Sequence, residues 1–344
     1  MIYLDYSANT PVDARVLEQF CAVERRCIGN ANSHHQAGSA AKAEIDAATI
    51  KIASLLGVQP AEIIYTSGAS EANNFALKGL ARLSRHAGRH IISTPLEHSS
   101  VSGTLTALQE QGYEIDLLDV KQDGTVDLEH LKDLLRPDTI CVAVTLVDSE
   151  LGVVQPVQEI AAILKAYPHC HLHVDATQAV GKIPVSFEGV DTMSLTAHKF
   201  YGLNGIGLLL KRRLALEPLI HGGESTTIYR SGTPTIALAA SLETALNSAV
   251  NELPERSARV KEANLYLRTA LSKYPKVRIN SPESAIPHIL NLSVENVKGT
   301  VFQRELDAEG VCVSVKSACS SDGLPSRAVF AVSRDRKNAL SSWR

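Results

Sequence analysis

Leu172-His173-Val174-Asp175-Ala176-Thr177-Gln178 decides how this chain is read. A strand-length run ends on an aspartate, and a carboxylate at the end of a buried strand is costly unless something pairs with it. Outward from this stretch, short apolar runs alternate with helical patterns. Strands are expected at Glu62–Thr66, His90–Thr94, Glu114–Leu118, Ile140–Leu146, Met193–Thr196 and Gly205–Leu210. Helices are expected at Ser70–Arg85, Val101–Gln111, Leu128–Leu135 and Val157–Ala166. That alternation predicts an α/β fold with a mostly parallel sheet covered on both faces. Such sheets bind ligands at the carboxyl ends of their strands.

The chain has 344 residues and is 44% apolar, more than one core comfortably accommodates. A large domain over 15–250 is expected, with a smaller one built from 1–14 and 251–344. The long helical pattern from Ile236 to Leu271, broken at Pro254, would connect them. Strands at Ile289–Ser293 and Val311–Val315 would belong to the smaller, α+β domain. The stretch before Arg15 would pack beside it or line the cleft.

The net charge of -3 comes from 34 basic and 37 acidic residues with no basic block, which argues against nucleic acid as a direct partner. Nothing reads as a signal peptide, and no apolar run approaches the roughly 20 residues of a membrane span. A cytoplasmic protein is the expectation. The six cysteines form no CxxC pair, so reduced thiols are expected.

Three segments carry chemistry. Thr66-Ser67-Gly68-Ala69-Ser70-Glu71 follows a strand and opens a helix, so its free amides and the Ser70 hydroxyl form a phosphate-sized anion site or an ordinary helix cap. Asp175 would pair with a protonated ring nitrogen, or act as a cap or another kind of catalytic carboxylate. Ser194-Leu195-Thr196-Ala197-His198-Lys199 places a lysine just past a strand end, where a Schiff-base amine is wanted. Together these are the parts that pyridoxal 5'-phosphate (PLP) needs: phosphate site, pyridinium partner and amine. His98 could stack on the ring or move protons.

The chain resembles the NifS/IscS cysteine desulfurase family, of class V aminotransferase fold and PLP fold type I. The resemblance rests on Tyr3 to Pro11, Gly29-Asn30, Thr66 to Asn74, Glu97-His98, Gly152 to Pro156, His173 to Lys182, Ala197 to Gly207, His221-Gly222-Gly223, Arg230 to Thr233 and Ser317-Ala318-Cys319. It implies a seven-stranded type of sheet with Lys199 as the PLP lysine, Asp175 on the ring nitrogen and Gln178 on the ring oxygen. Ala69, Ser70, Thr196 and His198 would hold the phosphate, and His98 would stack on the ring. Thr233 would reach the phosphate of a neighbouring subunit, implying a homodimer. Cys319 would carry the persulfide, and sulfur from L-cysteine would pass to an iron–sulfur scaffold or a tRNA-thiolation enzyme. Cys319 lies in a polar segment beside Lys316, which suits a thiolate. Cys141 and Cys312 sit in apolar strand patterns and read as inert core.

Two departures from the family pattern bear on the substrate. Asp148-Ser149 stands where the family shows two asparagines, so Ser149 offers a shorter reach to the ring oxygen and the substrate carboxylate. Asn9 replaces a common threonine near the substrate. Arg344 matches the family's carboxylate clamp, yet as the last residue it is expected to fray. Other readings remain open at this level. They are a selenocysteine lyase, another PLP lyase or transaminase, a weakly catalytic structural homologue, and a metal hydrolase using His171 and His173.

Overall fold

The computed structural model describes every residue except 213, 224–226 and 317–323. Its centre is a seven-stranded sheet. In order across the sheet the strands are Ile63–Thr66, Gly207–Lys211, Thr192–Thr196, His171–Asp175, Thr139–Thr145, His90–Ser93 and Glu114–Leu117. Gly207–Lys211 pairs antiparallel with both neighbours; every other pairing is parallel. The expected mostly parallel α/β sheet is therefore present, with each strand within two residues of its expected bounds.

Successive side chains of these strands point to opposite faces. Ile64, Ile91, Ala143 and Leu209 pack with Ala72, Phe75, Ala76 and Leu80 of helix Ala69–Leu83 and with Val101, Leu105 and Leu108 of helix Ser99–Gln109. Ile63, Ile92, Val142, Val144, Leu208 and Leu210 face the other side. There they meet Val157, Ile160 and Leu164 of helix Val157–Leu164 and Leu242, Ala245 and Leu246 of helix Ile236–Asn251. Both faces are covered, which is why the central strands read as continuous apolar runs.

The long helical pattern divides into Ile236–Asn251 and Leu253–Leu271, with Pro254 in the first turn of the second helix, where its missing N–H costs nothing. Beyond it, Val277–Ile279, Leu292–Val294 and Ser342–Trp343 form a three-stranded antiparallel sheet. The strand expected at Ile289–Ser293 starts later. Ile286 and Ile289 are instead buried in the large core, and the Ile286 amide donates to Gly152 O at 2.8 Å. The strand expected at Val311–Val315 stops at Cys312, because Ser314 exchanges both backbone hydrogen bonds with Arg344 at 2.8 and 3.0 Å. Val311–Cys312 pairs with Ile2–Tyr3 in parallel, so the first residues join the small sheets and the next ones enter the cleft.

One close approach sets the mouth of that cleft. A Cβ at Gly207 would stand 2.6 Å from Leu195 O and 2.7 Å from Gly68 Cα, both backbone atoms that cannot turn aside. Gly207→Ala is therefore expected to cost roughly 1–3 kcal/mol of stability, read as a lower urea midpoint. An unchanged midpoint would show that these backbones separate freely.

Candidate functional site

The carboxyl ends of the parallel strands open on a cavity of about 350 Å³. Each wall has a distinct source. Asp175 is the last residue of its strand and is 4% exposed. Lys199 ends the short 3-10 turn Ala197–Lys199 that follows Thr192–Thr196. Ala69 and Ser70 open helix Ala69–Leu83, whose N-cap Gly68 supplies no side-chain cap. Ala72 N to Gly68 O, 3.1 Å, is the first bond of that helix, so the amides before it face the cavity unclaimed by the helix. Glu71, whose charge would oppose an anion here, is paired with Arg230 at 3.0 Å.

Asp175 is held by two donors. The Thr177 amide donates to Oδ1 at 2.9 Å and Asn73 Nδ2 to Oδ2 at 2.8 Å. Lys199 Nζ donates to the carbonyls of Ser7 and Ala8 at 2.8 and 2.6 Å. Gln178 Nε2 donates to the same Ser7 carbonyl at 2.8 Å, while its Oε1 accepts from Lys182 Nζ at 3.0 Å. The N-terminal stretch thus reaches the cavity through Ser7 and Ala8. Asn9 does not line it; its amide donates to Thr10 O at 3.0 Å.

Two histidines flank the lysine. His98 caps helix Ser99–Gln109, and its Nδ1 accepts the Ser100 amide at 3.1 Å. Burial lowers its pKa, as do Lys199, Arg344 and Arg327 nearby, against the opposing field of Asp175. His198 is pushed down to about 4 by burial and then by Lys199 and Lys182. Its Nδ1 lies 3.1 Å from Thr196 Oγ1, which donates to Ile206 O. An anion at this end would oppose the lysine field and restore proton affinity.

Arg344 also lines the cavity. It is 9% exposed and pinned by its two backbone bonds to Ser314, so the expected fraying does not occur. Its Nε and Nη1 are buried and have no hydrogen-bond partner among the described residues, an arrangement that fits an incoming carboxylate. Ser149 lines the same space. Asp148 does not: its Oδ2 accepts the amides of Glu150 and Leu151, and burial followed by Glu150 raises its carboxyl to about 7.

The remaining expectations fall elsewhere. Cys319 lies outside the described residues. Thr233 is exposed and does not line the cavity. The His173 ring is occupied by Thr192 and Asn73, each at 3.0 Å, and His171 lies 3.7 Å from Asp191. Cys141 is buried, which raises its thiol well above the usual range; Cys312 is half-buried. Sequence reasoning missed Asn73 and Lys182. Both lie inside the stretches that carry the family resemblance, but neither announces a role by residue type.

In chemical terms the cavity offers an anion seat at a helix start, a buried carboxylate for a cation, an amine, and a guanidinium with unpaired donors. That set fits a compact cofactor with a phosphate, a protonated ring nitrogen and a carbonyl carbon, together with an amino-acid substrate.

Comparisons with known proteins agree with this geometry. The family model for aminotransferase class-V matches residues 2–337. The cysteine desulfurase IscS of Dictyoglomus turgidum is 38% identical over 337 residues, covering 96% of this chain and 85% of its own length. A solved NifS-like protein superposes with a TM-score of 0.93 at 34% identity, over 99% of this chain and 92% of the other. SspA, solved in complex with cysteine, superposes with a TM-score of 0.88 at 30% identity, over 100% and 98%.

Glu97 supplies a pH test of the site's interior. It is buried, its Oε1 accepts from Thr94 Oγ1 and the Thr145 amide at 2.8 Å each, and its Oε2 has no partner among the described residues. Burial raises its pKa from 4.5 to about 8, with Asp175 and Asp148 adding to the rise. Above the unfolded value the unfolded chain has lost a proton that the folded chain keeps, so this group's contribution to stability falls as pH rises from 4.5 to about 8. Glu97→Gln is expected to flatten that fall in urea unfolding across the window. An equally steep fall in the variant would assign it to other groups.

Proposed function

The chain belongs to the aminotransferase class-V family, on its NifS/IscS cysteine desulfurase branch, and from that premise we propose that it removes sulfur from L-cysteine with PLP as cofactor. The observation that carries this reading is one cavity lined by the Lys199 amine, the buried Asp175 carboxylate and Arg344, whose Nε and Nη1 have no partner among the described residues. The cysteine bound to the SspA neighbour supports the substrate. Ala69, Ser70, Thr196 and His198 would hold the phosphate, Asp175 the ring nitrogen, and Lys199 the carbonyl carbon.

PLP, when bound, supplies an electron sink for the Cα–H bond pair of the substrate. The chain's residues do the rest. Arg344 binds the substrate carboxylate through Nε and Nη1, with Ser149 beside it. Asp175, whose oxygens accept from the Thr177 amide and Asn73, would hold the proton on the ring nitrogen. Gln178 Nε2 has one hydrogen on Ser7 O and one left for the ring oxygen. The Lys199 Nζ would hold the cofactor's carbonyl carbon at rest and, with substrate bound, would take the Cα proton. His98, with Nδ1 engaged by Ser100, presents Nε2–H to the cavity.

Sulfur leaves when the Cys319 thiolate attacks the substrate sulfur. The S–S bond forms, the C–S bond breaks, and its electron pair returns toward carbon, which is protonated to give alanine. The segment that carries Cys319 begins two residues after Lys316-flanking Val315, and Lys316 Nζ donates to Leu324 O at 2.7 Å across its ends. Ser314, just before, is bonded to Arg344, which lines the cavity. The persulfide would then pass to an acceptor such as an iron–sulfur scaffold or a thiolation enzyme. The exposed Thr233 would complete the phosphate seat of a second copy, making the working form a homodimer. No described helix is long and apolar enough to cross a membrane, and a cytoplasmic setting suits a persulfide carrier.

Two substitutions test the assignment. Lys199→Ala is expected to lose the visible absorbance of PLP-loaded protein and all alanine release from L-cysteine. Cys319→Ser is expected to keep that absorbance and lose sulfide production by at least about a hundredfold, the scale on which losing a covalent nucleophile is felt. Full turnover by Cys319→Ser would remove that thiol from the mechanism. Release of alanine from selenocysteine but not from cysteine would change the substrate.

A further inference from the structure

Asn73 is fully buried, and its one amide is the meeting point of both groups that would touch the cofactor ring. Nδ2 donates to Asp175 Oδ2 at 2.8 Å and to Ser100 Oγ at 2.9 Å. Oδ1 accepts from Ser194 Oγ at 2.5 Å and faces His173 Nε2 at 3.0 Å. Every hydrogen-bonding position of the side chain is therefore used.

The directions follow from one fact: an ionised carboxylate only accepts. The Asn73 atom facing Asp175 must be the nitrogen, so its oxygen faces His173. His173 must then donate from Nε2. Burial holds its ring down to about 4 against the field of Asp175, so at neutral pH it carries one ring proton, on Nε2. Its Nδ1 is left to accept from Thr192 Oγ1 at 3.0 Å. On the other branch, Ser100 Oγ accepts from Asn73 and so has its own hydrogen for His98 Nδ1 at 2.9 Å. With the Ser100 amide also donating there, His98 is fixed as the Nε2–H tautomer.

We propose that Asn73 is a positioning residue that sets, through a one-way hydrogen-bond chain from Thr192 and His173, both the charge of Asp175 and the second of the two donors that hold the tautomer of His98. This rests on the PLP reading above. A carboxylate deprived of one of its two donors in this buried place holds its charge less well and takes the proton that belongs on the ring nitrogen. His98 Nδ1 then keeps the Ser100 amide but loses the directed Ser100 hydroxyl, so one donor in place of two holds its Nε2–H tautomer. Asn73 does not line the cavity, so its effect is on the state of the groups that do.

The test uses full-length protein loaded with PLP labelled with ¹⁵N in its ring. Apo-protein affinity for PLP is measured by absorbance titration, and the protonation of the ring nitrogen by ¹⁵N NMR. Asn73→Leu keeps the volume and removes the donors. It is expected to weaken PLP binding roughly tenfold to a hundredfold, the scale of one hydrogen bond to a charged group, and to shift the ring nitrogen toward its unprotonated signal. His173→Leu breaks the chain one step back and is expected to give the same spectral shift. His173→Gln keeps an N–H toward Asn73 Oδ1 and is expected to restore the wild-type signal. The His173 pair decides the matter even where Asn73→Leu fails to fold. A protonated ring nitrogen and wild-type affinity in folded His173→Leu would overturn the inference while leaving the PLP reading intact. Wild-type protein that takes up no PLP would overturn both.

Discussion

A buried carboxylate at the end of a central strand governs this molecule. Asp175 sits among apolar strands at 4% exposure, where an unpaired charge is expensive. Two donors hold it, the Thr177 amide and Asn73, and neither is charged. The arrangement supports the anion without neutralising it, leaving its charge directed into the cavity. A scaffold that wanted only stability would have put an apolar residue or an ion pair there. What the sheet does instead is spend neighbouring positions, Ser194 and His173 among them, on orienting one asparagine.

The cationic side is arranged in a complementary way. Lys199, Lys182, His198 and Arg344 share a small volume; burial and then neighbouring cations lower the pKa of His198 and Lys182, while burial lowers that of Arg344 against the fields of Glu150, Asp5 and Asp148. Carbonyl oxygens from the N-terminal stretch absorb part of this field at the Lys199 amine. Residues from the first and last parts of the chain thereby close over a site built by its middle. Asp5 shows the same economy: its Oδ2 accepts from Ser314 Oγ at 2.6 Å, tying the N-terminal stretch to the strand end that holds Arg344.

Much of this was legible in the sequence. The sheet followed from apolar runs of strand length because every central strand is covered on both faces. Asp175 and Lys199 were legible because one ends its strand and the other lies a single short turn beyond the next, where local pattern and site coincide. Strand bounds failed where tertiary contacts took the residues, as at Ile289, drawn into the large core, and Ser314, claimed by Arg344. The order at Arg344 was hidden for the same reason. Asn73 could not be read because its meaning lies in partners 100, 102 and 121 residues away. Asn9 misled by nearness: Ser7 and Ala8 face the cavity through their backbone, and the next side chain turns to its own neighbour.

The most direct measurement is where PLP becomes attached. Two lysines compete for it: half-buried Lys199, and buried Lys182, whose amine burial and then Lys199 lower to about 7. Loading the full-length protein with PLP, reducing it with borohydride and mapping the modified peptide by mass spectrometry separates them. The account predicts a stoichiometric adduct on Lys199. An adduct on Lys182 with Lys199 unmodified, or none at all, would contradict it.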